Sequence, residues 1–131
     1  MAKAKELLEQ WVGAFNDSQW DAGEALWVPD GMLEEIGTGR TTNVKQSTEN
    51  AKGWRAAFPD ARGQIENVLE AGNQAAGEVV WTGTNSGSLM GKPPTGKRVT
   101  VRGAVVLRED GGKIKHVRHY LDVAGMMAQL G

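Results

Sequence analysis

The chain has 131 residues, fifteen of them basic and sixteen acidic, for a formal net charge of -1, with 40% hydrophobic and 24% charged residues. This is globular composition, and the balanced charge argues against a broad nucleic-acid surface. The absence of cysteine excludes disulfides, thiolate metal sites and thiol nucleophiles.

No apolar run approaches the roughly 20 residues that span a bilayer. The N-terminus is basic but meets Glu6 and Glu9 before any sustained apolar stretch, unlike a secretory signal. One cytoplasmic domain over residues 1–131 is expected, with no membrane or nucleic-acid partner.

The first segment reads as a helix, because Ala4, Leu7, Leu8, Trp11, Val12 and Phe15 recur at the spacing that puts apolar groups on one face. Asp17 or Ser18 can cap a second short helix running through Trp27. Pro29-Asp30-Gly31 signals a turn, Met32 to Ile36 a short strand, and Gly37-Thr38-Gly39 the start of a polar loop. Val44, Ser47, Ala51, Trp54 and Phe58 predict a third helix that Pro59 ends. Gly53 within it costs about 1 kcal/mol relative to alanine, which suggests tight packing against the backbone there.

Beyond Pro59 the period changes to two. Strands are predicted over residues 63–70, 74–85, 98–108 and 113–122, with hairpin turns at Ala71-Gly72-Asn73 and Asp110-Gly111-Gly112. Residues 86–97, with Pro93 and Pro94, form a loop, and a last helical turn or two follows Asp122. Helices with one early strand, then four antiparallel strands, make an α+β fold. Wrapped around the helices, a curved sheet of this kind would leave a cavity.

The last strand carries the densest set of titratable groups. Alternation puts Ile114, His116, Arg118, Tyr120 and Asp122 on one face and Lys115, Val117, His119 and Leu121 on the other. If the first face is concave, it is a candidate acid–base site; if it meets solvent, it is a charged strand face with Val117 and Leu121 in the core.

The order of elements resembles the nuclear-transport-factor-2-like cone fold, and the motifs resemble SnoaL-like polyketide cyclases. The matching pieces are Ala57-Phe-Pro-Asp60, Gly83-Thr-Asn-Ser-Gly87, Pro93-Pro-Thr-Gly-Lys97, Gly112-Lys-Ile114, Tyr120-Leu-Asp122 and Gln129-Leu-Gly131. The resemblance implies that Asp122 is the general acid/base of an aldol closure; on the same strand face, Arg118, Tyr120 or His116 would donate to the developing oxyanion. The alternative for Asp122 is a structural ion pair or a cap on the final helix. The cyclases' second catalytic group, a histidine on the penultimate strand, has no counterpart between Val99 and Arg108. Glu35 lies where related ketosteroid isomerases carry a proton-shuttling aspartate, although a one-residue slip would present Glu34 instead. The isomerases' oxyanion tyrosine on the first helix is also missing, with Trp11 or Phe15 in that region.

Trp11, Phe15, Trp27, Trp54, Phe58 and Trp81 are candidates to line a pocket for a flat hydrophobic ligand, and each could equally be ordinary core. Neither a metal nor a cofactor is expected: His116 and His119 point to opposite faces, and no phosphate or dinucleotide fingerprint exists. The reading is a cofactor-free cyclase, isomerase or lyase with a carboxylate base, acting on a small hydrophobic carbonyl compound. The alternative is a non-catalytic protein binding such a molecule. A homodimer is expected from the fold, with an outward row at Val79 or Trp81 as the mark of an interface through the sheet.

Overall fold

A computed structural model describes residues 2–131. Helix α1 (Ala4–Asn16) buries Ala4, Leu7, Leu8 and Val12, and this stripe packs with Val79, Val105, Leu107 and Val117 in the main core. The apolar spacing therefore does what the helical period requires, turning one face onto the sheet. Helix α2 (Trp20–Glu24) is shorter than its sequence suggests, and Trp27 instead opens strand β1 (Trp27–Glu35).

Pro29-Asp30-Gly31 does not end β1. It lies at an irregularity in pairing between Trp27 and Met32, where the ladder to its neighbour shifts register. Gly31 is required there, since a Cβ would fall 2.6 Å from the Trp27 ring. The predicted polar loop contains a further short strand, β2 (Arg40–Asn43), paired antiparallel with β1.

Helix α3 (Val44–Ala57) begins at a capping box in which Asn43 and Gln46 each bond the other's backbone N–H. Gly53 on this helix has open space around its missing Cβ, so the tight packing expected there is absent. The remaining strands are β3 (Arg62–Ala71), β4 (Gln74–Thr84), β5 (Arg98–Asp110) and β6 (Lys113–Leu121), followed by helix α4 (Val123–Leu130). Both hairpins turn on two residues, and Gly72, Gly111 and Gly112 take the positive φ these turns need.

The sheet order is β2-β1-β6-β5-β4-β3, antiparallel throughout except for the parallel pair β1–β6. The fold is α+β, a curved six-stranded sheet carrying helices. Val79 is buried and Trp81 turns inward, so the outward row that would mark an interface is not there. No helix among the described residues is long and apolar enough to cross a membrane.

Arg55 joins the helical layer together. Its Nη1 donates to the carbonyls of Pro59 and Ala61 at 3.0 and 2.8 Å, and its Nη2 to those of Phe15 and Asn16 at 2.7 and 3.4 Å. The guanidinium also lies 4.6 Å from the Phe15 ring centroid. A cation is favoured here because the last carbonyls of α1 have no intrahelical partner. Arg55→Met is expected to lower unfolding free energy by about 2–3 kcal/mol, the scale of lost charged hydrogen bonds, measured by urea denaturation.

Candidate functional site

Pairing between β5 and β6 slips between Arg108–His116 and Glu109–Ile114, so Lys115 is the extra residue of a bulge. The slip lets Ile114 and Val117 both reach the core, and beyond it strict alternation sends Val117, His119 and Leu121 inward. His116, Arg118 and Tyr120 consequently occupy the outer face, contrary to the concave placement weighed from sequence. His116 Nε2 lies 2.8 Å from Glu34 Oε2 there, and Tyr120 is 43% exposed.

Asp122 is exposed and does not line the cavity. Its Oδ1 accepts from the backbone N–H of Gly125 at 2.9 Å, which makes it the N-cap of α4. Gly125 leaves room for this, since a Cβ there would collide with the Asp122 carboxylate. The capping alternative describes this side chain, and the inward general base does not.

Between the helices and the inner sheet face lies a cavity of about 150 Å³. The side chains of Trp11, Phe15, Trp27, Trp54, Phe58 and Trp81 all line it, together with Trp20 from α2. Trp81 lies across Gly63 on β3, where a Cβ would sit 2.6 Å from the ring, and meets Phe15 edge-on at 5.4 Å between centroids.

Two titratable groups enter this apolar enclosure, Glu35 from β1 and His119 from β6. The parallel ladder sets them side by side, and the ambiguity between Glu34 and Glu35 resolves with Glu35 buried at 8% exposure. Burial pushes the Glu35 carboxyl up from its ordinary range; the Asn50 hydrogen bond, the Arg40 charge, and the Trp54 and Thr38 side chains oppose it. Asn50 Nδ2 donates to Glu35 Oε1 at 2.8 Å.

His119 is packed edge-on to Trp11 at 5.6 Å and tilted to Trp81 at 5.9 Å. Burial lowers its pKa to about 4, so the imidazole is neutral near pH 7. Its Nε2 and the indole Nε1 of Trp81 are buried without a hydrogen-bond partner among the described residues. An unsatisfied buried polar group costs about 1–3 kcal/mol.

Sequence reasoning placed Glu35 and the six aromatics among its candidates. His119, which with His116 is a candidate substitute for the cyclases' missing histidine, is the one of the two that turns inward, while Asn50 and Trp20 carry no sign of the site in the sequence. For His119 the signal was present in Val117 and Leu121, whose shared face had to be the core face. No three His, Asp or Glu side chains among the described residues converge to hold a metal.

The family model for SnoaL-like polyketide cyclases matches residues 5–130. The chain belongs to this family. Its fold is nuclear-transport-factor-2-like, and solved structures superpose closely. IdmH, a candidate polyketide cyclase from Streptomyces antibioticus, shares 25% identity over 98% of each chain with a TM-score of 0.87. A candidate polyketide cyclase from Acidithiobacillus ferrooxidans shares 28% identity over 98% of this chain and 94% of its own, with a TM-score of 0.81. A Catenulispora acidiphila protein of ketosteroid isomerase-like fold, solved with trimethylamine, shares 23% identity over 96% of this chain and 92% of its own, with a TM-score of 0.81. No curated protein matches the chain.

The depressed pKa of His119 has a consequence for stability. Between pH 6.5 and about 4 the unfolded chain binds a proton at this residue and the folded chain does not, so acidification favours unfolding. Lowering the pH across that window should remove about 3 kcal/mol through this group. His119→Leu is expected to flatten that part of the pH dependence in urea unfolding measured from pH 7 to 4.

Proposed function

We propose that this family member is a cofactor-free acid–base enzyme of cyclase or isomerase type, acting on a small hydrophobic carbonyl compound with Glu35 as its general base. The observation that carries this reading is the Glu35 carboxyl, taken out of water into a cavity walled mainly by indole, phenyl and aliphatic groups. A carboxylate so placed is a stronger base than one in water, because desolvation destabilises its charged form.

In the reaction Glu35 takes the proton alpha to the carbonyl, the C–H electron pair becomes the new C=C bond, and the carbonyl π pair moves onto the oxygen. The resulting enolate either attacks a second carbonyl carbon, closing a ring whose new alkoxide takes the proton back from Glu35, or is reprotonated by Glu35 at another carbon. The enolate oxygen needs donors. Trp81 and His119 are among the lining residues that carry uncharged donors, and the Trp81 Nε1–H and, in its Nε2–H tautomer, His119 are the two whose nitrogens have no partner within the protein; a small side-chain shift would bring them to a guest's oxygen. They would take the part of the helix-one tyrosine of the isomerases, where Phe15 provides no donor.

The cavity volume bears on the guest. About 150 Å³ is the size of an engineered apolar cavity that accepts benzene, so a single ring is the portion to be enclosed. A larger polyketide would keep most of its framework outside. The apolar walls alone would also suit a non-catalytic carrier of the same molecules, which is the second reading.

Proton abstraction can be tested before the substrate is known, by following exchange of alpha protons of small cyclic ketones in D2O by NMR. Glu35→Gln should slow this exchange ~10²–10⁴-fold, the usual contribution of a positioned acid–base group. Asp122→Asn, which retains a capping side chain, should leave it unchanged. Tight binding of the ketones with no exchange, indifferent to Glu35→Gln, would instead establish the carrier.

A further inference from the structure

Arg40 opens β2 directly opposite Glu35 in the β1–β2 ladder, brought there by a turn in which Gly39 takes a φ of +71°. Its side chain leaves the strand and reaches α3, where Nη1 donates to Asn50 Oδ1 at 2.7 Å. The amide nitrogen of the same Asn50 donates to Glu35 Oε1 at 2.8 Å. Two hydrogen bonds thus run in one direction, from an exposed guanidinium through an amide to the buried carboxyl.

The direction is dictated by chemistry. A guanidinium has donors only, so it accepts no orientation of Asn50 except the one presenting Oδ1. That leaves the NH2 group to face Glu35, and an NH2 group bonds a carboxylate more strongly than a neutral carboxyl. Were the amide free to flip, its oxygen would face Glu35 and favour the protonated acid.

We propose that Arg40 is a positioning residue for Glu35: by gripping the amide oxygen of Asn50 it fixes the amide's orientation, and so holds the buried carboxyl as a hydrogen-bond acceptor, the form a base requires. The inference rests on Glu35 being the working base, but its test does not need turnover. The other groups facing the carboxyl are Trp54 from α3 and Thr38 from the turn, both uncharged, and His119 from β6, neutral above about pH 4.

The experiment is a pH titration of the Glu35 carboxyl by carbon NMR in protein labelled at glutamate, with Glu35→Gln identifying the resonance. Arg40→Met should raise the midpoint by about one unit, about tenfold in proton affinity. In an Asn50→Ala background the same substitution should add little, because the amide that transmits the effect is gone. Arg40→Lys, again donor-only, should restore most of the wild-type midpoint, whereas Arg40→Gln, whose amide can offer either end, should not. If Asn50→Ala does not fold, Asn50→Leu, close in volume and without either hydrogen bond, supplies the second background. An equal shift from Arg40→Met in both backgrounds would show direct charge attraction and overturn the relay, as would no shift at all or restoration by Gln equal to that by Lys. If the titrations follow the expected pattern but Glu35→Gln leaves proton exchange unchanged, the relay stands and the enzymatic reading falls.

Discussion

Because neighbouring side chains on a strand must point to opposite faces of the sheet, Val117, His119 and Leu121 go inward together and His116, Arg118 and Tyr120 go outward together. The cavity's chemistry depends on this one geometric constraint. It gives the interior an imidazole that burial keeps neutral, and it keeps the guanidinium and the phenol outside. Glu35, adjacent to His119 across the parallel ladder, is then the acidic group that meets the enclosed space, while Glu34 pairs with His116 on the other side. Two consecutive glutamates thereby acquire different environments from backbone alternation alone.

Space for the enclosed volume comes from glycine as much as from curvature. The ring of Trp27 lies against Gly31 and that of Trp81 against Gly63, positions where any Cβ would strike the indole. Indoles seated on bare backbone stand as walls and do not fill the centre. Bulges contribute as well. The irregularity in β1 and the extra residue at Lys115 change which residues reach the core, and both occur where β1 and β6 run side by side. A strand pair with uniform pleat could not bury Ile114, Val117 and His119 on one side.

Much of the framework was legible because its signals are local. Helix α1 announces itself by apolar spacing, and the two glycine turns mark hairpins whose strands end within about two residues of their predicted limits. The family motifs were equally readable, spread in order along the chain. Strand β2 was not, because four polar residues, Arg40 to Asn43, carry no hydrophobic alternation and pair only as an edge. The capping box at Asn43 and Gln46 fixes where α3 starts and not the strand before it.

The site was legible in part, and the failures share a cause. Asp122 and its neighbours were weighed as an inward group because titratable residues concentrated on one alternating face, but the aliphatics Val117 and Leu121 on the other face are the better guide to which side is dry. Hydrophobic burial chooses the face, and polar groups follow wherever that choice leaves them. Asn50 gave no sequence sign at all, since its importance arises from two partners distant in the chain, Arg40 and Glu35.

The grip of Arg55 on both α1 and the segment leaving α3 bears on how the helical layer holds together over the sheet. Four carbonyl contacts to one guanidinium span these two parts of the roof, so prying them apart would strip several charged hydrogen bonds at once. One guanidinium thus ties the end of α1 to the segment leaving α3, and the two parts are coupled mechanically through a single side chain.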